Sequence, residues 1–363
     1  MQRRILLVII VLLGCGNHRE EPVARQPGVT LAVLGQALIR HDPGTYLESP
    51  LRSVIPILHD ADVVFTNLEV AIPGDSCACE PTRTGLYSHG AGVEVLDYLA
   101  DLGVSLMSLA NNHAWDYGAE GVLSTIAEVE ARGFTYAGTG ANISVATAPA
   151  YLMAGELSVA LIAAASVRWP DVVRATENRA GVNILKPGDD ADRERNLAGI
   201  RLAKETADIV IAYHHFQTGA VEGWQEAWAR AAIDAGANIY VSHGEPRLAG
   251  VEVYQGGLIL YGLGNFIFHT RTEPGHYPTD VWESVIAEVV LDELGVAEVS
   301  FVPIVLNPGT EGPLFLETRG YPEVADGETG AAILKRLLDL SARYGTMIEL
   351  DAGKATLRLG QPK

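Results

Sequence analysis

Short apolar runs alternate along this chain with stretches whose apolar residues recur at helical spacing. Residues 29–34, 62–66, 104–109, 134–138, 157–164, 208–213 and 237–241 read as strands. Residues 93–102, 118–132 and 224–235 read as helices, the last two stopped by Gly133 and Gly236. Such alternation predicts βαβ units around a mainly parallel sheet. Beyond Gly250 the pattern changes. Residues 251–261 suggest a hairpin turning at Gly256-Gly257, and 285–291 with 296–305 suggest another turning near Glu293-Leu-Gly295. A helix over 327–344 and two short strands complete the chain. The expected class is α/β, a layered sandwich of two sheets flanked by helices. Trp224 and Trp228, at helical spacing, belong to core packing.

The same pattern puts chemistry at one edge. In open α/β sheets, ligands bind at the carboxyl ends of the strands. Gln36, His41 and Asp42 follow the first predicted strand, and Thr66-Asn-Leu-Glu69 closes the second. Asn112, His113 and Asp116 follow the run at 104–109. Tyr213-His-His215 ends one later strand, and Ser242-His-Gly-Glu245 ends another. One histidine after a strand is ordinarily solvated; five polar segments at the same edge point to a site. Imidazole, carboxylate and amide oxygen together suit zinc, manganese or iron, and paired ions can clamp an oxyanion. His113 beside Asp116 suits proton transfer. Arg247, next to His243, is preferred over Arg83 as a contact for an anionic substrate, and His89 reads as a loop residue.

Composition narrows the classes. The 363 residues carry a formal charge of −19 and no basic run, which argues against nucleic-acid binding. An acidic surface also repels polyanions unless a metal or a local basic patch offsets it. Met-Gln-Arg-Arg, an apolar run over 5–13 and Gly14-Cys15 form a secretory signal too short to span a bilayer. Residues 17–28, polar with two prolines, read as a tether. Cys77 and Cys79 fit a structural loop feature, as a disulfide across one residue or as thiols.

Several motifs in fixed order resemble those of a known family. They are Phe65-Thr-Asn-Leu-Glu69, Leu109-Ala-Asn-Asn-His-Ala-Trp-Asp-Tyr-Gly118, Tyr136-Ala-Gly-Thr-Gly140, Ile233-Asp-Ala-Gly-Ala237, His243-Gly-Glu-Pro-Arg-Leu-Ala-Gly250 and Tyr261-Gly-Leu-Gly-Asn-Phe266. Order and spacing resemble the CapA-type proteins of poly-γ-glutamate capsule synthesis, related to the calcineurin-like metallophosphatases. The resemblance implies a four-layer α/β/β/α sandwich with mixed sheets over residues 29–310, with 311–363 as a C-terminal extension packed on the same domain. Leu12-Leu-Gly-Cys15 resembles a bacterial lipobox, which implies a signal peptide over 1–14, lipidation at Cys15 and a tether over 15–28.

The family's site carries over residue by residue. Glu69 is the implied metal carboxylate, Asn112 an amide ligand, and His113 the catalytic imidazole, oriented by Asp116. His215 best matches the next ligand, with His214 a close second, and His243 matches the histidine of the glycine-rich turn. Gln36 stands where many members have Asp, and Glu245-Pro246 where many have Pro-His. A neutral Gln36 withdraws charge from one metal position, so one or two divalent ions remain open, with His41 or Asp42 as substitutes. Arg247, His41 and Glu245 are the implied substrate contacts. The resemblance implies an exported, lipid-anchored envelope protein that touches the membrane only through its lipid. It implies a hydrolase of phosphoesters or γ-glutamyl amides using metal-activated water, acting on an anionic polymer or a small phosphoester or peptide. The other implied reading is a non-catalytic lipoprotein that binds the polymer or serves the capsule export machinery.

Overall fold

The computed structural model describes residues 28–41, 53–83, 85, 88–216, 223–308, 315–351 and 353–359. Cys15, the signal, the tether and Asp42 lie outside them. Two large mixed sheets face each other. The first runs in the order Glu349–Asp351, Lys354–Arg358, Gly295–Leu306, Glu283–Asp292, Val29–Leu38, Val63–Leu68, Leu106–Ser108, Thr135–Ala137. Asn265–Phe268 pairs in parallel with Val29–Leu38, and Pro322–Val324 joins Gly295–Leu306 off this path. The second runs Val251–Tyr254, Gly257–Leu260, Ile239–His243, Ile209–Phe216, Leu157–Ser166, Ala150–Ala154.

Three apolar clusters define four layers. Between the sheets lie Leu31, Val33, Phe65, Leu161, Ile209, Ile211, Ile239 and Val241. Outside the first sheet, Ala32, Leu34 and Val64 meet Leu58, Val95, Leu96, Leu99 and Val129 of the helices Ile55–His59, Glu94–Asp101 and Gly118–Ala131. Outside the second, Val210, Ala212 and Tyr240 meet Leu197, Ile200, Trp228 and Ala232 of Asp190–Thr206 and Gly223–Asp234. Strands buried on both faces read as continuous apolar runs, which is why they stood out in the sequence. Helix Gly327–Ala342 adds Ile333, Leu334 and Leu337 to the inter-sheet core.

The first sheet is mixed, as expected: parallel from Val29–Leu38 to Thr135–Ala137, with Glu283–Asp292 and Gly295–Leu306 pairing antiparallel. Two boundaries need correction. The first hairpin turns at Gln255-Gly256, both at positive φ, one residue earlier than the glycine pair suggested. Val29–Leu38 does not stop at residue 34 but runs on through Gln36. A bulge lies in it, since Val33 pairs with Phe65 but Gln36 pairs with Asn67. That extra residue shifts the pleat by one and aims Gln36 toward the second sheet.

Candidate functional site

Side-chain alternation decides what reaches the space between the sheets. In Ile209–Phe216, Ile209, Ile211 and Tyr213 face the inter-sheet core and Val210 and Ala212 face the helices. His215 therefore falls on the inner face and His214 on the outer. In Ile239–His243 the inner face carries Ile239, Val241 and His243, and His243 sits opposite His215 in register. From the other sheet, Val63 and Phe65 face inward, so Asn67 and Glu69 arrive on the same side.

The inward residues meet. Glu69 Oε1 lies 3.8 Å from His215 Nε2 and 4.0 Å from His113 Nε2. His215 Nε2 donates to Asn112 Oδ1 at 2.6 Å. Asn111 builds the turn that presents this pair. Its Oδ1 accepts the amides of His113 and Ala114, while its Nδ2 reaches Leu68 O and Asn67 Oδ1. Sequence reading had not singled out Asn111 or Asn67, whose role exists only between two strands.

His113 is held from behind. Its Nδ1 lies 2.9 Å from Asp116 Oδ2 and 2.9 Å from the Arg83 guanidinium; with Asp116 ionised the ring proton sits on Nδ1, leaving Nε2 facing Glu69. Asp116 also accepts from the His89 amide, and its other oxygen takes a close contact from Arg83. Arg83 further donates to Asn112 O at 3.2 Å. His89 packs its ring edge-on to His113 at 4.2 Å and takes a 2.9 Å contact from Arg40. So Arg83, ranked below Arg247 as a substrate contact, is instead the clamp on Asp116.

Burial sets the electrostatics. Glu69 is pushed up to about 8, first by desolvation and then by the Asp116 charge. Desolvation alone lowers His243 to about 3. It also leads in holding His215 and His113 well below the usual imidazole range, aided at His113 by Arg83 and Arg40. Neutral imidazoles are the protonation state that metal ligation needs, whereas Glu69 has to release its proton when an ion binds. Glu69 Oε2 and both ring nitrogens of His243 are buried without a hydrogen-bond partner. Such orphaned atoms are costly unless something satisfies them. Among the described residues, no three histidine, cysteine or carboxylate side chains yet close into a coordination sphere. The donor set of Glu69, Asn112, His215 and His243 nevertheless fits a divalent ion of the zinc, manganese or iron class.

Five expected ligands or contacts are engaged elsewhere. Gln36 has both amide atoms engaged, Oε1 accepting Gly244 N–H and Nε2 donating to Asn265 Oδ1. It stitches the two sheets and offers no free donor to a second ion. The Gly244 turn is tight, with φ of 121° and no room for a Cβ, which would stand 2.2 Å from Phe216 O. His214, on the helix side, bonds Ser166 Oγ at 2.8 Å and the Tyr240 hydroxyl at 3.0 Å. Its outward strand position removes it from the cluster. His41 stacks on His269 at 4.3 Å, beside Arg40. Arg247 pairs with Asp280 and Glu245, and Arg247 and Glu245 line a cavity of about 350 Å³ that includes His243. Cys77 and Cys79 form a disulfide.

The chain is similar to known proteins over most of its length. It is 28% identical to the capsule biosynthesis protein CapA of Bacillus anthracis over 331 residues, 85% of this chain and 76% of that protein. It is 30% identical to the PGA biosynthesis protein CapA of Bacillus subtilis over 275 residues, 74% of this chain and 67% of that protein. An uncharacterized Sinorhizobium fredii protein, y4sH, is 26% identical over 92% of this chain and 93% of its own length. The NAD nucleotidase NadN of Haemophilus influenzae overlays with a TM-score of 0.43 at 12% identity, covering 85% of this chain and 55% of that one. That overlay is too loose to carry an argument. The bacterial capsule synthesis protein family PGA_cap matches residues 29–270, the span that holds Glu69, the Asn112–Asp116 turn, His215 and His243. The chain belongs to that family.

Proposed function

We propose that this chain is a metal-dependent hydrolase of the bacterial cell envelope, acting on a phosphoester or γ-glutamyl amide in capsule polymer metabolism. The observation that carries this reading is Glu69, a carboxylate buried at a strand end with one oxygen unpartnered and two neutral imidazoles near the other. A divalent ion held by Glu69, Asn112, His215 and His243 would polarise a substrate oxygen. His113 faces this space through Nε2, with its ring orientation fixed by Asp116 and the Asp116 carboxylate fixed in turn by Arg83 and the His89 amide. In that tautomer Nε2 accepts a proton from an attacking group, and Asp116 stabilises the imidazolium that forms. Burial excludes bulk water from the same space, which strengthens each of these interactions. Export and lipid anchoring at Cys15 belong to this reading, and no helix among the described residues is long and apolar enough to cross a membrane.

A second reading, a non-catalytic polymer-binding or export accessory protein, draws on one observation. Asn112 and His215 are bonded to each other. Metal analysis of the full chain, followed by a screen of p-nitrophenyl phosphate, bis-p-nitrophenyl phosphate and γ-glutamyl-p-nitroanilide, separates the two. About one equivalent of metal and turnover abolished by His113→Ala support the hydrolase. Folded protein that takes up no zinc, manganese or iron leaves the accessory role.

A further inference from the structure

The carboxyl end of Val29–Leu38 leads into a cavity of about 540 Å³ lined by Arg40, His41, Tyr117, His269, Thr270 and Arg271. Its volume is in the range of small-ligand sites. Two guanidinium groups meet here in a chain of net charge −19. Neither forms an ion pair with a carboxylate among the described residues, whereas other arginines here, such as Arg83, Arg174 and Arg230, do. Arg40 spends one nitrogen on Ser88 O and the His89 ring. It is lowered to about 10, first by desolvation and then by Arg271, which is repulsion that a bound anion would relieve.

The wall adds a second, independent feature. The Arg40 backbone N–H donates to His269 Nδ1 at 3.0 Å, so the neutral ring carries its proton on Nε2. That Nε2 is buried with no hydrogen-bond partner, and His269 itself is only 2% exposed. The loop holding Thr270 and Arg271 is fixed by Arg319, whose buried guanidinium donates to the carbonyls of Thr270 and Thr272.

We infer that the Arg40–Arg271 cavity binds an oxyanion, a carboxylate or phosphate group, and serves as a substrate subsite beside the Glu69–His113 centre. The link between them is short: Arg40 contacts His89, and His89 packs on His113. Tyr117 lines the cavity one residue after Asp116. The cavity's role as a subsite rests on the hydrolase reading; anion binding does not, and is tested without metal.

The full chain, stripped with EDTA and dialysed, is titrated calorimetrically with inorganic phosphate and, separately, with γ-glutamylglutamate. Binding of either probe, weakened about 10-fold or more by Arg271→Ala and unchanged by Arg358→Ala at an exposed site, is expected. Tighter phosphate binding names a phosphoester source, and tighter dipeptide binding names a polymer carboxylate. Arg40→Lys keeps the charge but loses the fork, and is expected to weaken binding while the fold, checked by circular dichroism, is kept. No binding of either probe at 10 mM (roughly the weakest that a two-arginine site should show), or equal binding by Arg271→Ala and the parent, overturns the inference. Metal-dependent turnover that survives alongside that failure would leave the hydrolase reading standing.

Discussion

The two sides of the centre are built differently. On the His113 side the groups that orient the ring are partnered: Asp116 accepts from His113, Arg83 and the His89 amide, and Asn111 satisfies the turn's backbone, although Arg83 Nε and Asn67 Nδ2 are left over. On the Glu69–His243 side, one carboxylate oxygen and two ring nitrogens have none. A satisfied network fixes a geometry, and an unsatisfied one is a place for a ligand. On the proposed reading, the first side positions His113 and the second would hold the ion.

The sharpest way to break that comparison is Glu69→Ala. Loss of a direct ligand is expected to weaken zinc or manganese binding by more than the ~10–100-fold typical of residues that only support a ligand. Elemental analysis after dialysis reads it, and retained metal would overturn the division. Asp116→Asn attacks the other side. Turnover is expected to fall about 10²–10³-fold with metal content unchanged, because the His113 tautomer and imidazolium lose support. Arg83→Ala should move the same readout in the same direction, by less.

His214→Leu sharpens the contrast between neighbours on one strand. It removes one partner each from Ser166, which keeps Leu185 O, and Tyr240, which keeps Ser242 and Gln225, so a loss of about 1–2 kcal/mol is expected from urea unfolding, again with metal retained. Gln36→Ala should cost about 1–2 kcal/mol through the Gly244 amide and Asn265, and leave metal stoichiometry as it was. A drop in stoichiometry would restore Gln36 as a ligand.

The smallest effect concerns acid. His269 is held well below its usual range by desolvation, then by His41 and Arg40. A depressed histidine makes stability complete above the unfolded value near 6.5 and lost as pH falls below it, since the unfolded chain then binds the extra proton. His269→Leu is therefore expected to flatten the decline of Tm between pH 6.5 and 5, even if Tm at pH 7.5 is lower.

Much of this was legible in the chain, and the limits have particular causes. Strands such as Ile209–Phe216 and Ile239–His243 were visible as apolar runs because both their faces are buried. For the same reason the choice between His214 and His215 was not: with no polar face, alternation gives no inside or outside until the second sheet is in place. The strand Ala150–Ala154 and the helix Asp190–Thr206 were passed over, the first at an edge, the second rich in charge.

Order along the chain determined the family motifs, the layered α/β class and the edge where chemistry gathers, since each is written in local periodicity and short-range turns. Tertiary structure alone decided which of His214 and His215 faces the centre, and what Gln36, Arg83 and Arg40 contact. Gln36 turns inward through a bulge and meets an amide 208 residues away, while Arg83 reaches Asp116 across 33. No local pattern encodes such contacts; they follow from how two sheets pack.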